Sequence, residues 1–125
     1  MKDGFVRVAT ATPTIKVADC AHNADQIRHL MLEAQRQKVA VLVTPELALT
    51  GYTCSDLFLS RTLQQGALQA LESLIASSKA IDVMTLVGLP LAVGPALYNV
   101  AAVIQGGRLL GLVPKRSIPN YSEFY

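Results

Sequence analysis

The chain has 125 residues, near the commonest size for one domain, and 51% are hydrophobic against only 16% charged. Its net charge of +2 is spread thinly, with Lys115-Arg116 the only adjacent basic pair, so the basic stripe that nucleic-acid binding calls for is missing. No apolar run reaches the roughly 18–20 residues of a membrane span, and Cys20 and Cys54 lie too far apart for a disulfide framework or a metal site.

The start Met1-Lys2-Asp3-Gly4 lacks the basic and apolar regions of a signal peptide, so a cytoplasmic chain is expected, with neither nucleic acid nor membrane as partner. Residues 6–12 alternate apolar and polar, predicting a strand with one covered face. Asn23, with Gln26 three residues on, predicts the start of a helix. Ile27, Leu30, Met31 and Ala34 give that helix an apolar stripe opposite Arg28, Gln35 and Lys38. Residues 39–43 are apolar throughout and read as a fully buried, parallel-type strand.

Ser60 predicts the cap of a second helix, whose face is Leu63, Ala67, Ala70, Leu71 and Leu74 and whose end lies near Ser77-Ser78. Residues 84–89 predict a strand stopped by Pro90, which cannot donate to a ladder. After a turn at Gly94-Pro95, residues 98–104 and 109–113 predict a hairpin around Gly106-Gly107. The order β-α-β-loop-α-β-β-β implies an α/β fold, a mixed β-sheet layered with helices, over residues 1–125. The tail from Ile118 to Tyr125 resembles neither a helix nor a disordered segment, so the chain is expected to be a piece of something larger.

Glu46 follows the second strand directly. In open α/β sheets, chemistry collects beyond the carboxyl ends of the strands. The apolar neighbours Pro45, Leu47 and Leu49 predict a buried carboxylate, and burial raises a carboxylate's pKa toward the range useful for proton transfer near neutral pH. A helix-capping or solvated loop glutamate accounts for the same residues equally well. Lys115 follows Val113-Pro114 at the end of the last strand. There it is placed to stabilise an oxyanion, although an ordinary surface lysine is the simpler reading of that residue alone.

The segment Val43-Thr44-Pro45-Glu46-Leu47-Ala48-Leu49-Thr50-Gly51-Tyr52, together with Val113-Pro114-Lys115-Arg116, resembles the first two signature regions of the nitrilase, or carbon–nitrogen hydrolase, superfamily. The extension Gly51-Tyr52-Thr53-Cys54-Ser55-Asp56-Leu57-Phe58 and the tail with Pro119-Asn120-Tyr121-Ser122-Glu123-Phe124 sharpen the resemblance. They are similar to the N-terminal glutaminase domains of glutamine-dependent NAD+ synthetases. The resemblance implies that Glu46 is a general base, that Lys115 stabilises the oxyanion, that Tyr121 binds glutamine and that Tyr52 lines the same pocket.

It also implies glutamine as substrate, with ammonia passed to a synthetase domain that uses ATP and Mg2+ to make NAD+ from deamido-NAD+. This chain itself is expected to hold no cofactor and no metal. The family's nucleophile is a cysteine that follows the lysine, whereas Cys54 precedes it and Cys20 is more remote, so both read as incidental. About half of a nitrilase-type α-β-β-α sandwich is therefore expected, inactive alone. Its uncovered apolar sheet face is expected to drive homo-oligomer formation. Two alternatives stay open: another carbon–nitrogen hydrolase, such as an amidase or carbamoylase, and a non-catalytic α/β interaction module.

Overall fold

The computed structural model describes residues 4–51 and 60–114. Five strands form one sheet in chain order: β1 (Val8–Thr10), β2 (Val41–Val43), β3 (Met84–Val93), β4 (Ala96–Gln105) and β5 (Arg108–Pro114). The β1–β2 and β2–β3 pairs are parallel, while β3–β4 and β4–β5 are antiparallel. The parallel pairs need crossovers, supplied by α1 (Cys20–Arg36) and α2 (Arg61–Ser77). This is the mixed, helix-layered sheet expected from the order of the elements.

Both helices are amphipathic and lie on one face of the sheet. Ile27, Met31 and Ala34 of α1, and Leu63, Ala67, Ala70, Leu71 and Leu74 of α2, share one core with Leu42, Val87, Leu89, Val100, Ala102 and Ile104. The register aligns the last five, pairing Val87 with Ala102 and Leu89 with Val100, because alternate residues of a strand share a face. The other face carries Val8, Val41, Val43, Leu86, Ala101 and Val113, with Val8 66% and Val113 59% exposed. Residues 39–43 are thus not buried on both sides as expected. Within β2 only Leu42 meets the helices, and Val43 is exposed.

Several boundaries differ from expectation, and three of them have clear physical reasons. Helix α1 begins before Asn23, because the Asp19 carboxylate accepts from the His22 N–H at 3.0 Å. An anionic acceptor at that position satisfies an orphan N–H and complements the helix dipole. Strand β3 runs through Pro90 to Val93. The carbonyls of Leu86 and Gly88 point away from β4, accepting from Thr44 and Leu49. Pro90 shares that side, where β2 has already ended, so its missing N–H costs no ladder bond. Strand β1 is limited to three residues because it pairs only with the three of β2. Ser60 caps α2 as expected, accepting from the Leu63 N–H.

Candidate active site

Beyond β2 the chain leaves the sheet through Thr44, whose N–H and Oγ1 both donate to the Leu86 carbonyl, at 3.1 and 2.8 Å. A turn follows, closed by the Ala48 N–H donating to the Pro45 carbonyl at 3.2 Å. Leu47, third in that turn, has φ +55°. The left-handed region costs an L-residue about 1–2 kcal/mol. Complete burial of the Leu47 side chain offsets that, since burying a leucine contributes about 1.5–3 kcal/mol. Ala48 and Leu49 are likewise wholly buried. Glu46 is left on the outside of the turn and is exposed. The burial expected from its apolar sequence neighbours is therefore not found: they turn inward and the carboxylate turns outward.

Two residues that sequence reasoning passed over define the carboxylate's surroundings. Gly88 lies on β3, where an added Cβ would stand 2.5 Å from the Leu47 nitrogen and 2.8 Å from the Pro45 oxygen. Only a residue without a side chain lets the turn lie this close to the strand. The Leu49 N–H fastens it there by donating to the Gly88 carbonyl at 3.0 Å. Asn99 on β4 is 4% exposed, and its Nδ2 donates to Glu46 Oε1. Each had a faint signal. A glycine inside an apolar strand marks a close backbone approach, and Asn99 is a buried polar residue amid an apolar strand.

A second side-chain amide ties the turn to α1. Asn23 is wholly buried; its Oδ1 accepts from the Lys16 N–H at 2.8 Å, and its Nδ2 donates to the carbonyls of Lys16 at 2.8 Å and Leu49 at 3.0 Å.

Glu46, Gly88 and Asn99 line a pocket of about 370 Å³ on the open side of the sheet, together with Val113 and Pro114. A larger hollow of about 840 Å³ runs between α1 and α2, away from any strand end. The smaller pocket joins a carboxylate, an amide donor and the carboxyl end of β2. Of the residues expected to form a site, Glu46 lies here. Lys115, Tyr121, Tyr52 and Cys54 fall outside the described residues. Cys20 is buried in the core at the start of α1. Among the described residues, no three His, Cys, Asp or Glu side chains are grouped to hold a metal ion, and no helix is long and apolar enough to cross a membrane.

The pattern of the carbon–nitrogen hydrolases matches residues 7–124. Over 122 residues the chain is 38% identical to a glutamine-dependent NAD(+) synthetase of Mycobacterium tuberculosis (strain ATCC 25618 / H37Rv), covering 98% of this chain and 18% of that protein. Its fold superimposes with a TM-score of 0.84 on the crystal structure of a glutamine-dependent NAD(+) synthetase from Cytophaga hutchinsonii, at 29% identity, covering 92% of this chain and 20% of that one. An amidase from Nesterenkonia sp. shares the fold with a TM-score of 0.74 at 22% identity, over 98% of this chain and 47% of its own. The chain thus spans about a fifth of the length of the curated relatives it matches.

Proposed function

The chain belongs to the carbon–nitrogen hydrolase family, and from that premise we propose that it forms the N-terminal part of a glutaminase domain supplying ammonia for NAD+ synthesis. The observation that carries the reading is the Glu46 carboxylate at the carboxyl end of β2, bonded to a buried amide in a pocket bordered by Val113 and Pro114. Pro114 leads directly into Lys115, the second candidate residue, in the sequence.

In this reading Glu46 takes the proton of a cysteine thiol contributed by another segment of the domain. The thiolate attacks the side-chain amide carbon of glutamine, and the Lys115 ammonium stabilises the oxyanion that forms. Collapse breaks the C–N bond, and protonated Glu46 returns its proton to the leaving ammonia. Glu46 then takes a proton from water, which attacks the glutamyl thioester; glutamate leaves as the thiol is restored. Tyr52 and Tyr121 line the glutamine pocket. ATP and Mg2+ act in a separate synthetase domain that accepts the ammonia, and the whole enzyme is cytoplasmic and homo-oligomeric.

The substrate is tested by ammonia release from the full-length protein, with glutamine set against short aliphatic amides. Glutamine should be favoured in kcat/KM by on the order of 10²-fold or more, because a site built around a substrate's polar groups rejects analogues that lack them. Equal or faster turnover of propionamide would overturn the glutaminase assignment and leave a general amidase.

A further inference from the structure

We propose that Asn99 is a positioning residue for the general base, holding the Glu46 carboxylate from two strands away across a gap that Gly88 leaves open. The inference rests on the reading of Glu46 as the base. A glutamate side chain has three rotatable bonds, and fixing them carries an entropic cost. A general base must nevertheless stay within hydrogen-bond reach of the proton it takes, and an error of about 1 Å can cost 10²-fold in rate. The backbone part of this problem is met by the turn at Leu47. The side-chain part is met by Asn99.

The geometry shows how an amide on β4 reaches a carboxylate that follows β2. Neighbouring strands stand about 4.8 Å apart, so β4 lies roughly twice that from β2, with β3 between them. The turn carrying Glu46 crosses this distance by lying over β3 at Gly88, where any side chain would collide with Pro45 and Leu47. Gly88 pairs with Ala101 on β4. Asn99, two residues before Ala101, points to the same face of the sheet. Its Nδ2 donates to Glu46 Oε1, and the rest of its side chain is enclosed. A neutral amide is suited to this role: it orients a carboxylate without contributing a counter-charge that would compete for its proton. Gly88 and Asn99 therefore act together, one admitting the turn and the other fixing the group that the turn presents.

The test uses Asn99→Ala and the isosteric Asn99→Asp in the full-length protein. Asn99→Ala should lower kcat for glutamine by on the order of 10²-fold, with KM changed less than about threefold, as expected when an interaction acts in the transition state. Asn99→Asp sets a second carboxylate beside Glu46, and like charges disfavour ionisation of each other. The acid limb of its kcat profile should therefore move to higher pH by about one unit. A role confined to folding would lower the yield of active protein and leave the limb in place. A crystal structure of Asn99→Ala decides the point independently of substrate, with the Glu46 carboxylate expected to move by about 1 Å or more from its wild-type position. Wild-type kcat and an unmoved Glu46 in Asn99→Ala, or an unmoved limb in Asn99→Asp, would overturn the proposal. An inactive wild-type protein whose Glu46 still moves in Asn99→Ala would instead remove the glutaminase reading and keep the positioning one.

Discussion

Two of the turns that place backbone in the left-handed region are built from opposite residues. Between β4 and β5, Gly106 and Gly107 take φ +58° and +83°, a conformation that glycine adopts without steric cost. Beyond β2, Leu47 takes φ +55° with its side chain wholly buried. The hairpin turn has only to reverse the chain. The turn after β2 must also anchor itself in the core and leave the preceding carboxylate facing a pocket. Local strain gathers where geometry matters more than local comfort, and at Leu47 the strained residue directly follows the carboxylate.

The sharpest way to probe this contrast is to crowd both turns. Gly88→Ala drives a Cβ into the backbone of Pro45 and Leu47. It should destabilise the full-length protein by about 3 kcal/mol in denaturant unfolding, the upper range for overpacking, and reduce glutamine turnover at least 10²-fold. Leu47→Gly comes next. It relieves the left-handed strain of about 1–2 kcal/mol but removes a buried leucine, a loss of about 2–5 kcal/mol. A net destabilisation of roughly 2 kcal/mol is expected, and a stabilised variant would show that backbone strain, not burial, dominates this turn. Gly106→Ala should cost about 1 kcal/mol through its positive φ and leave turnover unchanged, since its Cβ meets nothing within 4 Å. Loss of turnover in Gly106→Ala equal to that in Gly88→Ala would erase the contrast.

The smallest effect lies away from both turns, on α1. The Arg28 guanidinium, hydrogen-bonded to Asp25 at 2.8 Å, holds that carboxyl below its ordinary value of 3.8. Arg36 does the same for Glu33. A carboxylate with a lowered folded-state pKa contributes stability above its unfolded value, and that contribution is lost as pH falls through the folded value. Asp25→Asn should therefore weaken the protein slightly at pH 7, less so in high salt. The difference from wild type should vanish as pH falls below about 3.9. A difference that persists in acid would assign the effect to helix propensity.

Features decided by neighbours in sequence were legible from the chain: the Ser60 cap, the Gly106-Gly107 hairpin, the element order, and a carboxylate at the end of β2. Features decided by distant partners were not. Asn23 suits a helix cap, but Asp19 is better placed, and the amide is taken by Lys16 and Leu49. Pro90 reads as a strand stop unless the end of β2 is known. The outward turn of Glu46 depends on one φ angle at Leu47, which an apolar neighbourhood in sequence cannot reveal. Gly88 and Asn99 belong to the site because a turn crosses β3, bringing together Glu46 and a residue 53 positions away.

The central claim is that Glu46 is the base of an amide-hydrolysing site. Glu46→Gln keeps the shape of the side chain and removes its capacity to take a proton. Ammonia release from saturating glutamine by the full-length protein should fall by about 10²–10⁴-fold, with the unfolding midpoint in denaturant unchanged. Turnover within a few-fold of wild type would contradict the account.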